Sequence, residues 1–187
     1  LDAIAITDHD FVSDDIEDRR TVVDGLELIA GVEVRADVRN TKIELLGYFI
    51  EPDDEQLSGV LAEVRENRRS RNRHIIERLY KTTSLDRTFE DIRREADGIL
   101  GRVHIANVLI EEGIVDSIGE AFDKHLANDG TAFVPMERVP APKVIDAIQG
   151  AGGVVSLAHP GRIRAESIDE IVAELVEAGL DAIEVQY

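Results

Sequence analysis

The stretch LDAIAITDHD, residues 1–10, joins an alternating apolar segment to three ionisable side chains, Asp8, His9 and Asp10. Alternation of this kind predicts a half-buried β-strand. In α/β folds, the carboxyl ends of parallel strands form the edge at which ligands bind. The cluster that ends this segment therefore predicts a strand that delivers functional groups to such an edge.

Two more strands are predicted downstream, at LELIAGVEV (residues 26–34) and IELLGYFI (residues 43–50). The short polar connection between them contains Asn40, which is compatible with a hairpin. The segment FVSDDIEDRRTVVDG, residues 11–25, has the pattern of an acidic helix closed by its final glycine. We therefore expect three short strands in this part of the chain, with loops or an acidic helix between the first two and a connection compatible with a hairpin between the second and third.

The pattern changes at residue 51, where apolar side chains begin to recur at three- and four-residue spacing. This spacing predicts a long helix, followed by shorter helices near TFEDIRREA, GRVHIANVLIEEG and SIGEAFDKHLAND. Gly98, Gly113 and Gly130 stand where these helices are expected to end. Residues 53–133 are therefore predicted to form an all-helical insertion.

Strands and helices alternate again after the insertion. The helix KVIDAIQGAG, the strand GVVSLAHPG, the helix SIDEIVAELVEAG and the strand LDAIEVQY follow one another up to residue 187. Such alternation is typical of parallel βαβ units. The predicted fold class is α/β, with residues 1–52 and 134–187 as two parts of one domain around the insertion.

The composition limits the kinds of site that the chain can build. Its 187 residues include 39 acidic and 21 basic side chains, a net charge of −18, and no cysteine. Disulfides and cysteine-ligated metal clusters are therefore excluded. The acidic excess fits a halophile-like surface or an ordinary acidic protein, and it repels phosphates at long range. An anionic substrate would need a local cation, either a metal ion or an arginine cluster.

We predict the cellular setting from the absence of targeting and membrane-spanning patterns in this sequence. Nothing in the sequence resembles a signal peptide or a run of eighteen apolar residues. We therefore expect a soluble, cytoplasmic protein that has no membrane partner. The oligomeric state stays open.

Ionisable side chains stand at the expected carboxyl end of every parallel strand. Carboxylates and imidazoles are ligands that suit Mn²⁺, Zn²⁺ or Fe²⁺. A metal site at this edge is therefore predicted. The side chains concerned are Asp8, His9, Glu33, His159 and Glu184.

Glu44 differs, because it stands near the start of its strand, where a hairpin would bring it close to Glu33. Several of these residues also allow an ordinary interpretation. Asp8 can cap a following helix, Glu33 can be a solvated strand end, and Glu44 can lie on the exposed face of an edge strand. His159 is the most specific signal, because Pro160 and the following glycine predict a tight turn directly after an apolar strand.

The order of six motifs resembles the polymerase and histidinol phosphatase (PHP) family. They are ITDHD, LIAGVEV, IELLGYFIE, GRVHIANVLIEEG, GGVVSLAHPGR and AGLDAIEVQY, and together they span almost the whole chain. Within the family, the chain is most similar to the phosphoesterase branch that contains nucleoside 3′,5′-bisphosphate phosphatases and RNase AM type 5′-to-3′ exoribonucleases.

This resemblance implies a distorted (β/α)7 barrel with a helical insertion and up to three divalent ions, Mn²⁺ first, with Zn²⁺ or Fe²⁺ as alternatives. It implies hydrolysis of a phosphate ester of a nucleotide or short RNA by a metal-activated water, with no DNA partner. The implied metal ligands are His9, Glu33, Glu44 and His159. The implied substrate-binding residues are Arg102, His104 and Arg162, which form the catalytic set together with Asp8.

Two departures from the family pattern matter. The family commonly has a His at the position of Glu44, so a changed metal preference is expected. The family also has an H-x-H…S-D-G motif before ITDHD and a D-x-H motif after the last strand, and this chain has neither. We therefore expect a chain truncated at both ends and inactive on its own.

Two rival functions remain open. A non-catalytic PHP module, serving in structure or interaction, is favoured by Glu44. A phosphatase of another small phosphomonoester, such as histidinol phosphate, is less favoured because the helical insertion is typical of the nucleotide branch.

The arginines also allow alternatives. Arg102 can be a surface charge at a helix start, and Arg162 can pair with Glu166. The basic run RENRRSRNRHIIERL, residues 65–79, can hold an oligonucleotide or can form ion pairs along a solvated helix. The nucleic-acid interpretation uses Arg65, Arg69 and Arg73, and the ion-pair interpretation uses Glu63, Glu66 and Glu77.

Overall fold

The computed structural model describes residues 1–96, 100–165 and 167–185. The strands are β1 (Ala3–Ile6), β2 (Arg20–Val23), β3 (Leu26–Val38), β4 (Thr41–Tyr48), β5 (Val139–Pro140), β6 (Val154–Leu157) and β7 (Ala182–Ile183). The helices are α1 (Glu55–Thr82), α2 (Phe89–Glu95), α3 (Arg102–Glu111), α4 (Ile118–Ala121), α5 (Ala141–Gly150) and α6 (Ile168–Glu177), with a π-helical turn Phe122–Leu126 and a 3₁₀ turn Pro160–Arg162. The predicted stop at Gly98 and the last two residues of the final predicted strand lie outside the described residues.

A mixed sheet in the order β1-β3-β4-β6-β7 forms the centre of the α/β fold, and β2 and β5 also pair with β3. β1 runs parallel to β3, β4 runs antiparallel to both β3 and β6, and β6 runs parallel to β7. β3 is the longest strand and contacts four others. Its alternating burial, with Val32, Val34 and Ala36 fully buried, explains this central place.

The predicted hairpin is confirmed, with β3 and β4 in antiparallel register from Gly31↔Tyr48 to Val38↔Thr41. The two residues of the turn, Arg39 and Asn40, both have positive φ angles, 52° and 62°. A two-residue turn with this left-handed backbone matches the twist of the strands it joins, and Asn tolerates that backbone well.

The helix predicted for residues 11–25 is wrong. The segment instead ends in β2, which pairs antiparallel with β3 from Arg20↔Ile29 to Val23↔Leu26. Asp24 and Gly25 form the connection with φ angles of 52° and 84°, so the glycine serves a hairpin turn and not a helix end. The β-branched run that precedes them also favours a strand.

The described residues form two compact units, residues 1–65 with 138–187 and residues 66–137. The division falls within α1, because its apolar positions serve two separate cores. The sheet-bearing unit buries Leu57, Val60 and Leu61 with the strands, α5 and α6. The helical unit buries Ile75 and Leu79 together with residues of α2 and α3. Within the described ranges, no helix is both long and apolar enough to cross a membrane.

Gly31 allows three strands to approach one another. A Cβ atom there would lie 2.8 Å from the Gly47 carbonyl oxygen, 2.8 Å from Thr7 Cγ2 and 3.0 Å from the Ile6 carbonyl oxygen. Since two of these atoms belong to the backbone, the strands themselves would have to shift. Gly59, within α1, would meet no atom within 4 Å.

We predict that Gly31→Ala lowers the free energy of unfolding by about 1–3 kcal/mol, because it overpacks the sheet. Gly59→Ala is the matched control and should raise it by roughly 0.5–1 kcal/mol, because alanine loses less backbone entropy than glycine in a helix. Urea unfolding followed by circular dichroism measures both. A Gly31→Ala protein as stable as Gly59→Ala would contradict this account.

Candidate metal centre

Glu33, Glu44 and His159 converge on one point of the sheet. Each offers a ligand atom, and these three atoms all lie within 4.8 Å of one another. His159 Nε2 is 3.2 Å from Glu33 Oε1 and 3.0 Å from Glu44 Oε2. The structure therefore brings together three of the four predicted metal ligands.

Strand register explains this convergence. Arg35 is paired with Glu44 across the β3–β4 hairpin, so Glu33, two residues before Arg35, is a diagonal neighbour of Glu44 on the same face. On the other side of β4, Leu157 is paired with Leu45, and the next amide, Ala158 N–H, donates to the Glu44 carbonyl at 3.0 Å. His159 is therefore the residue directly after the one that lies opposite Glu44.

His159 is held in an uncommon backbone conformation, with φ 29° and ψ 60°. Its amide donates to Glu184 Oε2 at 2.7 Å, and its carbonyl accepts from Arg162 N–H at 2.9 Å as the 3₁₀ turn begins. A positive φ angle is costly for a residue with a side chain and is maintained only where surrounding contacts enforce it. Glu184, predicted at this edge, thus contacts the backbone of His159.

His9 joins the group through the second oxygen of Glu33. His9 and Glu33 form an isolated parallel bridge, and His9 Nδ1 lies 3.1 Å from Glu33 Oε2. Backbone hydrogen bonds from Glu33 N–H to Asp8 O and from Asp10 N–H to Glu33 O fix this register, at 3.0 and 2.8 Å. Glu33 therefore contacts one imidazole with each carboxylate oxygen.

In the cluster that ends the first strand, the buried acid is Asp10. Its side chain is fully buried and accepts from the Arg35 amide at 3.3 Å, while Arg65 Nη1 donates to its carbonyl at 2.7 Å. Asp8 is exposed, and residues 9–19, which follow it directly, contain no helix, so the alternative that it caps a helix is wrong. The sequence interpretation missed Asp10, although its place after His9 was a signal.

Glu44 is buried, with 7% of its surface exposed, because β4 lies between β3 and β6. The alternative of an exposed edge strand is therefore wrong. Burial raises the pKa of Glu44, but the Arg35 hydrogen bond and the charges of Lys42 and Arg35 outweigh it and lower the pKa from 4.5 to about 2. Arg35 Nε lies 2.8 Å and Lys42 Nζ 3.2 Å from Glu44 Oε1.

Carboxylates of this region also affect Tyr48, at the end of β4. Burial, together with the nearby charges of Glu184 and Glu33, raises the pKa of its hydroxyl. The centre thus contains two carboxylates within a few ångströms of each other, and the charge of one of them, Glu33, acts on Tyr48. Such a group is stable only when cations compensate it.

The donor set fits a divalent ion. Metal bonds of about 2.0–2.2 Å to nitrogen and oxygen keep ligand atoms no more than about 4.4 Å apart across an ion, close to the spacing of this group. Two carboxylate oxygens and an imidazole nitrogen suit Zn²⁺, Mn²⁺ or Fe²⁺, and the chain has no cysteine for a softer ion. Glu33, Glu44 and His159 could therefore hold such an ion, with His9 beside them.

Arg102 and His104 lie on α3 in the helical unit, where both have local contacts. Arg102 Nη1 donates to the Leu126 carbonyl at 3.1 Å, and its guanidinium lies 5.3 Å from the Phe122 ring centroid. His104 Nδ1 accepts from the Gly101 amide at 3.0 Å, which caps the start of the helix. Their role with substrate stays a prediction.

Arg162 is exposed on the 3₁₀ turn that follows His159. Its alternative partner, Glu166, lies outside the described residues. Arg162 lies three residues after the predicted metal ligand His159. Its phosphate-binding role also stays a prediction.

Several arginines of the basic run on α1 donate to backbone carbonyls. Arg71 Nε donates to the Val134 carbonyl at 2.8 Å, and Arg78 donates to the Phe133 carbonyl. Arg73 pairs with Glu90 at 3.3 Å. The described ion pairs of this run thus differ from the predicted partners Glu63, Glu66 and Glu77, because the arginines reach across to other segments and Glu63 pairs with Lys143.

Comparisons with known proteins identify homologues. A 5′-3′ exoribonuclease of Escherichia coli is 34% identical over 188 residues, which cover 97% of this chain and 64% of the relative. A 3′,5′-nucleoside bisphosphate phosphatase of Chromobacterium violaceum is 27% identical and matches 97% of this chain and 65% of the relative. The chain thus spans just under two thirds of the length of these curated relatives. No protein-family profile matches it.

Two solved structures share the fold. A proposed metal-dependent phosphoesterase of Bifidobacterium adolescentis aligns with a TM-score of 0.74 and 27% identity, over 98% of this chain and 66% of that one. An amidohydrolase of Chromobacterium violaceum aligns with a TM-score of 0.76 and 24% identity, over 97% of this chain and 66% of that one, and supports the fold alone.

The fold thus matches that of a class of proteins that includes a proposed metal-dependent phosphoesterase, and Glu33, Glu44 and His159 form a group that could hold a metal ion. Within that class, the chain is a homologue of 5′-3′ exoribonucleases and of a nucleoside bisphosphate phosphatase, the two kinds of enzyme in the branch that its motifs resemble.

Glu44 should govern part of the acid sensitivity of the metal-free protein. Because its pKa in the folded state, about 2, lies below the ordinary value of 4.5, its contribution to stability is present above pH 4.5 and is lost as the pH falls toward 2. We predict that Glu44→Gln makes the decline of the unfolding free energy between these pH values shallower, by on the order of 3 kcal/mol in total.

Urea unfolding in the presence of a chelator, at pH steps across this range, measures the effect. The control is Glu27→Gln, which removes a partly buried carboxylate paired with Arg20 on the neighbouring strand. Equal pH slopes for wild type and Glu44→Gln would show that the ion pairs of Glu44 add nothing to stability.

Proposed function

We propose that this chain supplies part of the metal centre of a phosphoesterase that hydrolyses phosphate esters of nucleotides or short RNA. The observation that carries the proposal is the convergence of Glu33, Glu44 and His159. The names of the homologues support the substrate class. The proposal includes a distorted (β/α)7 barrel, with residues 53–133 as a helical insertion, and Mn²⁺ as the first candidate ion.

A divalent ion, when bound, lowers the pKa of a water molecule to near 7 and polarises the phosphoryl group. Residues of this chain would have to be in the right charge state and orientation to bind such an ion. Glu44 stays ionised at neutral pH, so it is ready to bind a cation. His159 must be neutral at Nε2 to donate its electron pair, and its backbone is fixed by Glu184.

Glu33 has the central position. Its two oxygens contact His9 and His159 separately, so one carboxylate can serve two neighbouring ligand positions. The backbone hydrogen bonds to Asp8 and Asp10 hold it in place. The exposed carboxylate of Asp8 would orient groups at the edge of the centre.

The phosphate of the substrate requires cationic partners, because the chain carries a net charge of −18. Arg162 is one candidate and lies three residues after the proposed ligand His159. Arg102 would bind a second phosphate oxygen, and His104 would hold or donate a proton at an ester oxygen. Support for these three roles comes from the resemblance of the motifs GRVH and HPGR.

A non-catalytic module is the second candidate, and one observation favours it. Glu44 Oε1 is already compensated by Arg35 and Lys42, and His159 contacts both carboxylates. The centre could therefore be a closed ion-pair network that needs no metal. Metal binding by the wild-type protein distinguishes the two candidates. A histidinol phosphate substrate has no such support, because the homologues act on RNA or nucleotides by name.

We predict that the protein in its natural length, supplied with Mn²⁺, releases phosphate from a nucleoside 3′,5′-bisphosphate or shortens 5′-phosphorylated RNA. Glu33→Gln and His159→Ala should each lower kcat by about 100-fold or more, because each removes a proposed metal ligand. Glu27→Gln, on the same strand but paired with Arg20, should leave kcat unchanged. Full activity in a chelator, or in both site variants, would refute the proposal.

Arg162→Ala should raise KM for the phosphorylated substrate by roughly 10- to 100-fold, because a charge-assisted hydrogen bond to phosphate is worth about 1.5–3 kcal/mol. Arg164→Ala, two residues further on and also exposed, is the matched control. Steady-state kinetics at saturating Mn²⁺ measures both. Equal KM values for the two variants would remove Arg162 from the substrate-binding set.

A further inference from the structure

The two carboxylate oxygens of Glu44 face different partners. Oε1 accepts from Arg35 Nε at 2.8 Å and lies 3.2 Å from Lys42 Nζ. Oε2 lies 3.0 Å from His159 Nε2 and is the oxygen on the side of the proposed metal centre. The carboxylate is therefore divided between a cationic side and a ligand side.

We propose that Arg35, assisted by Lys42, is a positioning residue that makes Glu44 a one-oxygen metal ligand. This inference rests on the proposed metal centre. Arg35 does not reach the ion itself, and it acts by occupying Oε1 so that only Oε2 is available.

The sheet builds this arrangement rigidly. Arg35 and Glu44 are direct partners across the β3–β4 hairpin, and Lys42 lies two residues before Glu44 on the same face. The Arg35 backbone is fixed in turn by the buried carboxylate of Asp10. Rotation of the Glu44 carboxylate would break the contacts with both cations, so its orientation is set before any ion binds.

The number of oxygens that a carboxylate offers influences which ion it prefers. Ca²⁺ takes six to eight oxygen ligands and often binds both oxygens of one carboxylate, whereas Mn²⁺ and Zn²⁺ need fewer ligands and accept nitrogen. A Glu44 restricted to Oε2 should therefore favour the smaller ions. Release of Oε1 should improve the binding of Ca²⁺ relative to Mn²⁺.

The ratio of two dissociation constants separates the effect of the Glu44 orientation from the effect of losing the Arg35 charge. Loss of a nearby cation strengthens the binding of any divalent ion, and this term is the same for Mn²⁺ and Ca²⁺ because both carry two charges. The ratio of Kd for Ca²⁺ to Kd for Mn²⁺ cancels it. A change in this ratio reports the ligand geometry.

The test is calorimetric titration of the protein in its natural length with Mn²⁺ and with Ca²⁺. We expect Arg35→Met to lower the Ca²⁺ to Mn²⁺ ratio of Kd values about tenfold, in the range of outer contacts to metal ligands. Lys42→Gln, a change at a half-exposed side chain that the fold tolerates, should lower it by a smaller factor. Arg138→Met, which removes an ion pair with Asp37 further along β3, should leave the ratio unchanged.

A double-mutant cycle tests whether Arg35 acts through the carboxylate of Glu44. In a Glu44→Gln background, Arg35→Met should no longer change the ratio, because the carboxylate through which it acts is gone. Equal changes in both Kd values, or a ratio change that persists in the Glu44→Gln background, would overturn the inference. A wild-type protein that binds neither ion would overturn the proposed metal centre itself, whereas a wild type that binds Mn²⁺ with an unchanged Arg35→Met ratio would overturn only the role of Arg35.

Discussion

Two carboxylates placed close together in a largely buried site impose the main physical constraint on this protein. Glu33 and Glu44 offer oxygens within 4.8 Å of each other, and Glu44 is almost inaccessible to water. Like charges at this distance repel strongly in a medium less polar than water. The surrounding structure must therefore compensate this charge. Arg35 and Lys42 supply positive charge beside Glu44 Oε1, and the imidazole of His159 contacts the carboxylates on the other side.

The β3–β4 hairpin is the frame that satisfies this constraint. Its register sets Glu33, Arg35 and Glu44 on one face, and the side-chain period of two means that a one-residue slip would turn these side chains to opposite faces. The neighbouring strands then add one imidazole from each side, His9 after β1 and His159 after β6. The proposed metal centre therefore depends on the pairing of these strands. The tight packing at Gly31 favours the same register.

Features with a local cause were predictable from the sequence. Alternating apolar residues located β1, β3, β4 and β6, the turn residues located the hairpin, and the motifs with carboxylates and imidazoles indicated the centre. Features that depend on partners distant in the chain were not predictable. The β2 strand looked helical until its pairing with β3 was known, and Glu44 looked exposed because nothing local shows that β6 covers the other side of β4. Arg35 was missed for the same reason.

The central claim is that Glu33, Glu44 and His159 bind one divalent ion together. Anomalous diffraction from crystals grown with Mn²⁺ tests it most directly. The account predicts an anomalous peak about 2.0–2.3 Å from Glu33 Oε1, Glu44 Oε2 and His159 Nε2, with Arg35 still on Glu44 Oε1. The absence of a peak at this position, with His159 still in direct contact with both carboxylates, would contradict it.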